Sequence, residues 1–138
     1  MRRTLVLSSL ALVVGFGLSI AANEKPTEAY SSTMKSNGAT GQALRRDTMA
    51  KDYDAIAKDA SAFKANFAKI EAFWTAKKVD DATGFAKAGG KAAGDLETAA
   101  NAKNDEAIAA ASTAMNGTCG SCHMAHRERL PDMTFEIK

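Results

Sequence analysis

The chain has 138 residues, of which 46% are hydrophobic and 25% charged, and its formal net charge is +2. After removal of a leader, this length corresponds to one ordinary domain. The near-balanced charge argues against nucleic acid as a partner, because nucleic acid requires a basic stripe. It also argues against a polybasic membrane-binding patch.

The first 22 residues have the three parts of a secretory signal peptide. Arg2 and Arg3 give a positive start, an apolar run of 16 residues extends from Leu5 to Ile20, and two alanines follow. A spanning helix needs about 20 apolar residues. We therefore expect residues 1–22 to be a signal peptide, with export to the periplasm and no stable membrane insertion after cleavage. An uncleaved anchor is the alternative.

Residues 23–138 predict an all-α domain. The only prolines of the chain, Pro26 and Pro131, lie near the two ends of this segment, alanine and lysine are abundant, and no alternating β pattern is present. The first helix has a partial apolar seam. Its two glycines each lower helix propensity by up to about 1 kcal/mol. The seam is formed by Met34, Gly38, Gly41 and Leu44.

The second helix has the clearest apolar seam, with 4-3 spacing over about five turns. It consists of Ile56, Ala60, Phe63, Phe67, Ile70 and Trp74. The third helix has a seam of small residues, which allows close helix packing and leaves space for a flat group. It consists of Ala82, Ala86, Gly89, Ala93, Leu96 and Ala100. The fourth helix carries Ile108, Ala111, Met115, Cys119 and Cys122 on one face.

The links between these helices are short. We place them at Lys51–Asp52, at 76–81 and at 101–105, with Asp81, Asn104 or Asp105 as candidate helix caps. Short links force consecutive helices to run antiparallel. The sequence therefore predicts an antiparallel up-down-up-down four-helix bundle.

The fourth helix ends in the sequence Cys119-Gly-Ser-Cys122-His123. Two thiols three residues apart can each add to one vinyl group of a haem, and the following His then supplies an imidazole to the iron. On a helix these three side chains share one side. The motif predicts a haem c covalently attached to the C-terminal helix. Because so few large aliphatic residues fill the interior, we expect the apoprotein to be loosely packed.

Two other uses of these cysteines are weaker. A CxxC disulfide or redox pair is typical of thioredoxin-like folds, but no βαβ pattern surrounds this one. A zinc site needs further Cys or His ligands, and only His126 remains in the chain.

The position of this motif near the C-terminus, on the last helix of a bundle, resembles the class II cytochromes c, the cytochrome c′ family. The ending from Cys119 to Arg127 is similar to the family pattern C-x-x-C-H-x-x-aromatic-Arg, with His126 at the aromatic position. The resemblance implies that Arg127 pairs with a haem propionate or stabilises the side of the ring that faces His123. A solvated cation at the helix end is the alternative for Arg127. For His126 we expect a surface or propionate-contacting imidazole.

The resemblance also implies that Met34 faces the iron, because it matches the position that is Met in the six-coordinate, low-spin subtype. The placement of the other methionines agrees. Met115 and Met124 lie on the attachment helix, Met133 lies beyond Pro131, and Met49 lies at the end of the first helix. Core packing is the alternative for Met34. The expected iron ligands are His123 and Met34.

The expected function is that of a periplasmic mono-haem cytochrome c, a one-electron carrier rather than an enzyme, whose partners are redox proteins of the periplasm. One alternative is a five-coordinate cytochrome c′-type protein that binds or senses NO or CO. A more distant alternative is a haem-bearing subunit of a larger oxidoreductase. Family members often form dimers, so a homodimer remains an open alternative.

Overall fold

The structure, a computed structural model, describes residues 23–138, so the expected signal peptide lies outside the described residues. Four helices pack against each other, which is consistent with a four-helix bundle and confirms the all-helical expectation. No helix within residues 23–138 combines the length and hydropathy needed to cross a membrane. The elements are α1 (Glu28–Ala50), α2 (Tyr53–Lys77), α3 (Asp80–Asn101), α4 (Asp105–His126), β1 (Arg127–Arg129) and β2 (Phe135–Ile137).

The helices are joined by links of two or three residues, each containing a lysine with left-handed backbone. These lysines are Lys51 (φ 54°), Lys78 (φ 58°) and Lys103 (φ 53°). The first link is at the expected position, whereas the expected 76–81 link is only two residues long, because Lys78 reverses the chain at once. Among the expected caps, only Asn104 acts as one, and its side chain accepts a hydrogen bond from the Ala107 amide.

Packing follows chain order: α1 lies on α2, α2 on α3 and α3 on α4, whereas α1 and α4 are not packed directly against each other along their length. Polar contacts tie the helices at both ends of the bundle. At one end Asp105 accepts hydrogen bonds from Lys51 (2.5 Å) and Tyr53 (3.0 Å). At the other end Asp81 contacts His126. The bundle is therefore closed on three sides and open between its first and last helices.

The apolar seams predicted for α2 and α3 are confirmed, because every one of their residues is buried. The small seam of α3 serves mainly for close approach to α2. The ring of Phe67 lies directly over Gly89, where an added Cβ would be 2.2 Å from Phe67 Cε1. The seam was also expected to leave space for a flat group. Among its residues, Ala86 lines the cavity described below.

Replacing Gly89 with alanine is expected to lower the free energy of unfolding, because an overpacking cost of about 1–3 kcal/mol exceeds the helix-propensity gain of up to about 1 kcal/mol. The Phe67 ring is 5% exposed and has Phe63 beside it, so it cannot move aside freely. Urea unfolding of the purified protein measures the effect.

Gly94→Ala is the matched control on the same helix, because an added Cβ there meets no atom within 4 Å. That substitution should stabilise the protein by up to about 1 kcal/mol through helix propensity. Equal effects at Gly89 and Gly94 would contradict the close packing of α2 on α3.

The tail after α4 forms a small sheet that the sequence analysis did not predict. Strands β1 and β2 pair antiparallel, and Ile137 of β2 also bridges to Glu24, which precedes α1. Ile137 is buried and joins the core. The sheet therefore fastens both ends of the described chain to the same end of the bundle.

Candidate functional site

A cavity of about 830 Å³ lies on the open side of the bundle, between α1 and α4. This volume is within the range of about 300–1,000 Å³ typical of small-molecule and cofactor sites. Aromatic and aliphatic residues of α2 and α3 form its base: Phe63, Phe67, Ile70, Phe85 and Ala86. The separation of α1 from α4 thus corresponds to a largely apolar space that no side chain of residues 23–138 fills.

The α4 side of the cavity carries the whole CxxCH motif. Cys119, Cys122 and His123 all line it, and both thiols are free. Burial raises the pKa of Cys119, and burial followed by the nearby Cys119 and Asp81 raises the pKa of Cys122 to about 11. Reactive redox cysteines instead have lowered pKa values. The surroundings of these thiols therefore disfavour a thioredoxin-like pair.

The surroundings of His123, which lines the cavity, favour its neutral imidazole. Burial, and secondarily the positive charge of Arg127, lowers the pKa of His123 below its usual value. A neutral imidazole has the free lone pair that a metal ligand needs. Within residues 23–138 no three His, Cys, Asp or Glu side chains are grouped so as to hold a metal ion by themselves. His123 could therefore ligate a metal that another group carries, whereas a zinc site gains no support.

The α1 side of the cavity carries Met34, half-buried and facing the same space as the CxxCH motif. Gly38 and Gly41 follow Met34 at helical spacing and also line the cavity. An added Cβ at Gly38 would meet no atom within 4 Å, and one at Gly41 would meet only Phe63 Cζ at 3.9 Å. Two adjacent turns of α1 thus offer bare backbone beside Met34, a surface suited to a planar group.

The other described methionines do not oppose the α4 side. Met49, Met124 and Met133 are 80%, 75% and 64% exposed, and none of them lines the cavity. Met115 is buried and lines the cavity from α4, the same helix as the cysteines. Met34 is therefore the thioether that lies across the cavity from His123 within residues 23–138.

Arg127 also lines the cavity and is the C-cap of α4, because its backbone amide donates a hydrogen bond to the His123 carbonyl. Helix α4 ends at His126, and Arg127 begins β1. Its guanidinium lies 4.3 Å from the centre of the Phe135 ring, a cation–π contact. The tail sheet thus holds Arg127 at the end of the cavity near His123.

His126 is half-buried rather than fully at the surface. Its ring lies 5.0 Å from that of Trp74, and its Nε2 is 2.9 Å from Asp81 Oδ2. Although desolvation acts to raise it, the pKa of Asp81 is lowered by hydrogen bonds from the Ala82 amide and from His126. His126 therefore joins α4 to α3 beneath the cavity that it also lines.

The sequence analysis missed the contribution of the tail to the site. Thr134, Phe135, Glu136 and Ile137 line the cavity beside the CxxCH helix. Two three-residue strands have no periodicity that could reveal them, and their pairing with Glu24 joins distant parts of the chain. The only sequence signal for a turn there is Pro131-Asp132.

In comparisons with known proteins, no family model matches the chain, and no curated protein sequence matches it significantly.

Proposed function

We propose that this protein is a periplasmic c-type cytochrome of the class II, cytochrome c′-like kind, acting as a one-electron carrier. The observation that supports the proposal is that Cys119, Cys122 and His123 from α4 line the same cavity as Met34 from α1. A six-coordinate haem c needs two thiols for covalent attachment, one imidazole ligand and one thioether ligand from the protein.

Each of these residues has a distinct task. The thiols of Cys119 and Cys122 would add to the two vinyl groups of a haem and hold it on α4. The imidazole of His123 and the thioether of Met34 would be the iron ligands. When bound, the haem supplies reversible one-electron chemistry at iron, and Met/His ligation favours the reduced state relative to two histidines.

The cavity residues favour electron transfer over catalysis. The apolar side chains of Phe63, Phe67 and Ile70 exclude water from the space that the ring would occupy. Burial around a redox centre raises its potential by disfavouring the more charged, oxidised state. Arg127 lies on the His123 side and would be available to a propionate or to the face of the ring that His123 ligates. Lys35 and Arg45 are the cations that line the cavity from α1.

The surroundings of the motif also suggest where electrons are exchanged. Cys119 is half-buried, while Gly120 and Met124 beside it are exposed. The haem edge bonded at this turn would then lie near the surface, where periplasmic redox proteins can approach it. The leader of residues 1–22 is the segment that would direct the protein to that compartment.

Intact-protein mass spectrometry tests this function. The protein is expressed in a host that attaches haem to CxxCH motifs, purified and denatured before measurement. We expect the mass of the chain plus one haem, and a redox titration of the native protein should give one reversible one-electron transition. A chain without added porphyrin mass would refute the proposal.

A further inference from the structure

Tyr30 is a polar residue of the cavity that the electron-carrier role does not use. It lies on α1 one turn before Met34, and both residues line the cavity. The Tyr30 ring stacks at 4.2 Å on Phe73 and stands edge-on to Trp74 at 6.0 Å. These aromatic contacts fix the phenol in one orientation.

The hydroxyl oxygen of Tyr30 accepts one hydrogen bond from a buried side chain. Trp74, which is 2% exposed, donates its indole N–H to the Tyr30 oxygen at 3.1 Å. An indole is only a donor, so the Tyr30 proton must point elsewhere. Among the described residues no side chain or backbone group accepts that proton. The phenol therefore has an unused donor at the edge of the cavity.

This donor is retained at neutral and alkaline pH. Burial raises the pKa of Tyr30 to about 12, although the hydrogen bond from Trp74 acts in the opposite direction. Along the strip of α1 that carries Met34, the two glycines contribute no donor. Asn37, another cavity residue, accepts a hydrogen bond from Asn66 Nδ2 through its Oδ1 at 2.9 Å. The other α1 donors that line the cavity are Ser31, Lys35, Gln42 and Arg45. Tyr30 differs from them because Trp74 and Phe73 hold its phenol in place.

We propose that Tyr30 is a hydrogen-bond donor to a small anion, such as azide or fluoride, that takes the place of Met34 at the iron. The inference rests on the proposed function, because the anion needs a ferric haem to bind. Tyr30 and Met34 lie one turn apart on α1 and line the same cavity, so the phenol borders the space that a ligand replacing Met34 would enter. Trp74 is the residue that positions this phenol.

Anion titration in the ferric Met34→Ala protein tests the proposal. Azide and fluoride accept hydrogen bonds strongly, whereas carbon monoxide on the ferrous protein accepts them weakly. Adding Tyr30→Phe should weaken anion binding about tenfold, equivalent to about 1.4 kcal/mol, and leave carbon monoxide binding unchanged. Affinities are measured from the shift of the haem absorption band.

Tyr53→Phe is the matched control, because it makes the same change in the chain's other tyrosine, which bonds Asp105 at the opposite end of the bundle. It should alter neither affinity. Unchanged anion affinity in Tyr30→Phe would overturn the proposal. An equal loss of affinity for anions and for carbon monoxide would also overturn it, because it indicates that the substitution changed the shape of the cavity. A protein without a haem band contradicts the proposed function itself, so the two failures are distinguishable.

Discussion

Replacing Cys119 and Cys122 together with alanine is expected to abolish covalent haem attachment completely. The two thiols are the only cysteines in the chain, so no other residue can form a thioether bond. Denaturing mass spectrometry should show the bare chain for the variant and the chain plus one haem for the wild type.

The double variant should also lose structure, because nothing else fills the cavity. A dry cavity costs about 24 cal/mol per Å³. For about 830 Å³ that cost is on the order of 20 kcal/mol, more than the roughly 5–15 kcal/mol that stabilises a whole domain. The empty space must therefore collapse or fill with water. Because α1 packs on α2 less extensively than α4 packs on α3, α1 is the helix expected to move.

Circular dichroism separates these two effects. We expect the double variant to keep most of its far-ultraviolet helical signal and to lose much of the near-ultraviolet signal of Trp74 and Tyr30. Ser121→Ala is the matched control, because Ser121 lies between the cysteines and attachment does not require its side chain. Near-ultraviolet spectra of the double variant and wild type that are equally well defined would contradict a core that depends on the haem.

Local patterns in the sequence were sufficient to predict the helices and to bring the motif residues of α4 to one face. The α2 seam is buried throughout because its spacing repeats over many turns, so each position reinforces the assignment. The motif residues Cys119, Cys122 and His123 are close in sequence and lie on one helix, so helix geometry alone brings them to one cavity. Met34 was placed on the opposite helix by family resemblance, and the structure puts it on the same cavity.

Features that depend on distant parts of the chain could not be predicted in this way. The tail sheet joins Ile137 to Glu24, and neither residue carries a local signal for that contact. The environment of His126 is set by Trp74 and Asp81, which approach from two other helices. The end of α4 at His126 also depends on a distant contact, because Arg127 pairs with Ile137 in the tail sheet.

Replacing Met34 with alanine is expected to convert a low-spin, six-coordinate haem into a high-spin, five-coordinate one. Met34 is the only described methionine on the α1 side of the cavity, and neighbouring Gly38 has no side chain to replace it. Loss of the thioether should lower the reduction potential by on the order of 100 mV, within the range of about 0.8 V over which axial ligands act. Electronic spectra and a redox titration measure both changes.

Met49→Ala is the matched control, because it makes the same substitution on the same helix at a side chain that is 80% exposed. It should leave the spin state and the potential unchanged. Carbon monoxide adds a second readout: the reduced wild type should resist it, and Met34→Ala should bind it rapidly. A wild type that is already high-spin and binds carbon monoxide at once would favour the gas-binding alternative, with Met34 as a packing residue of the cavity.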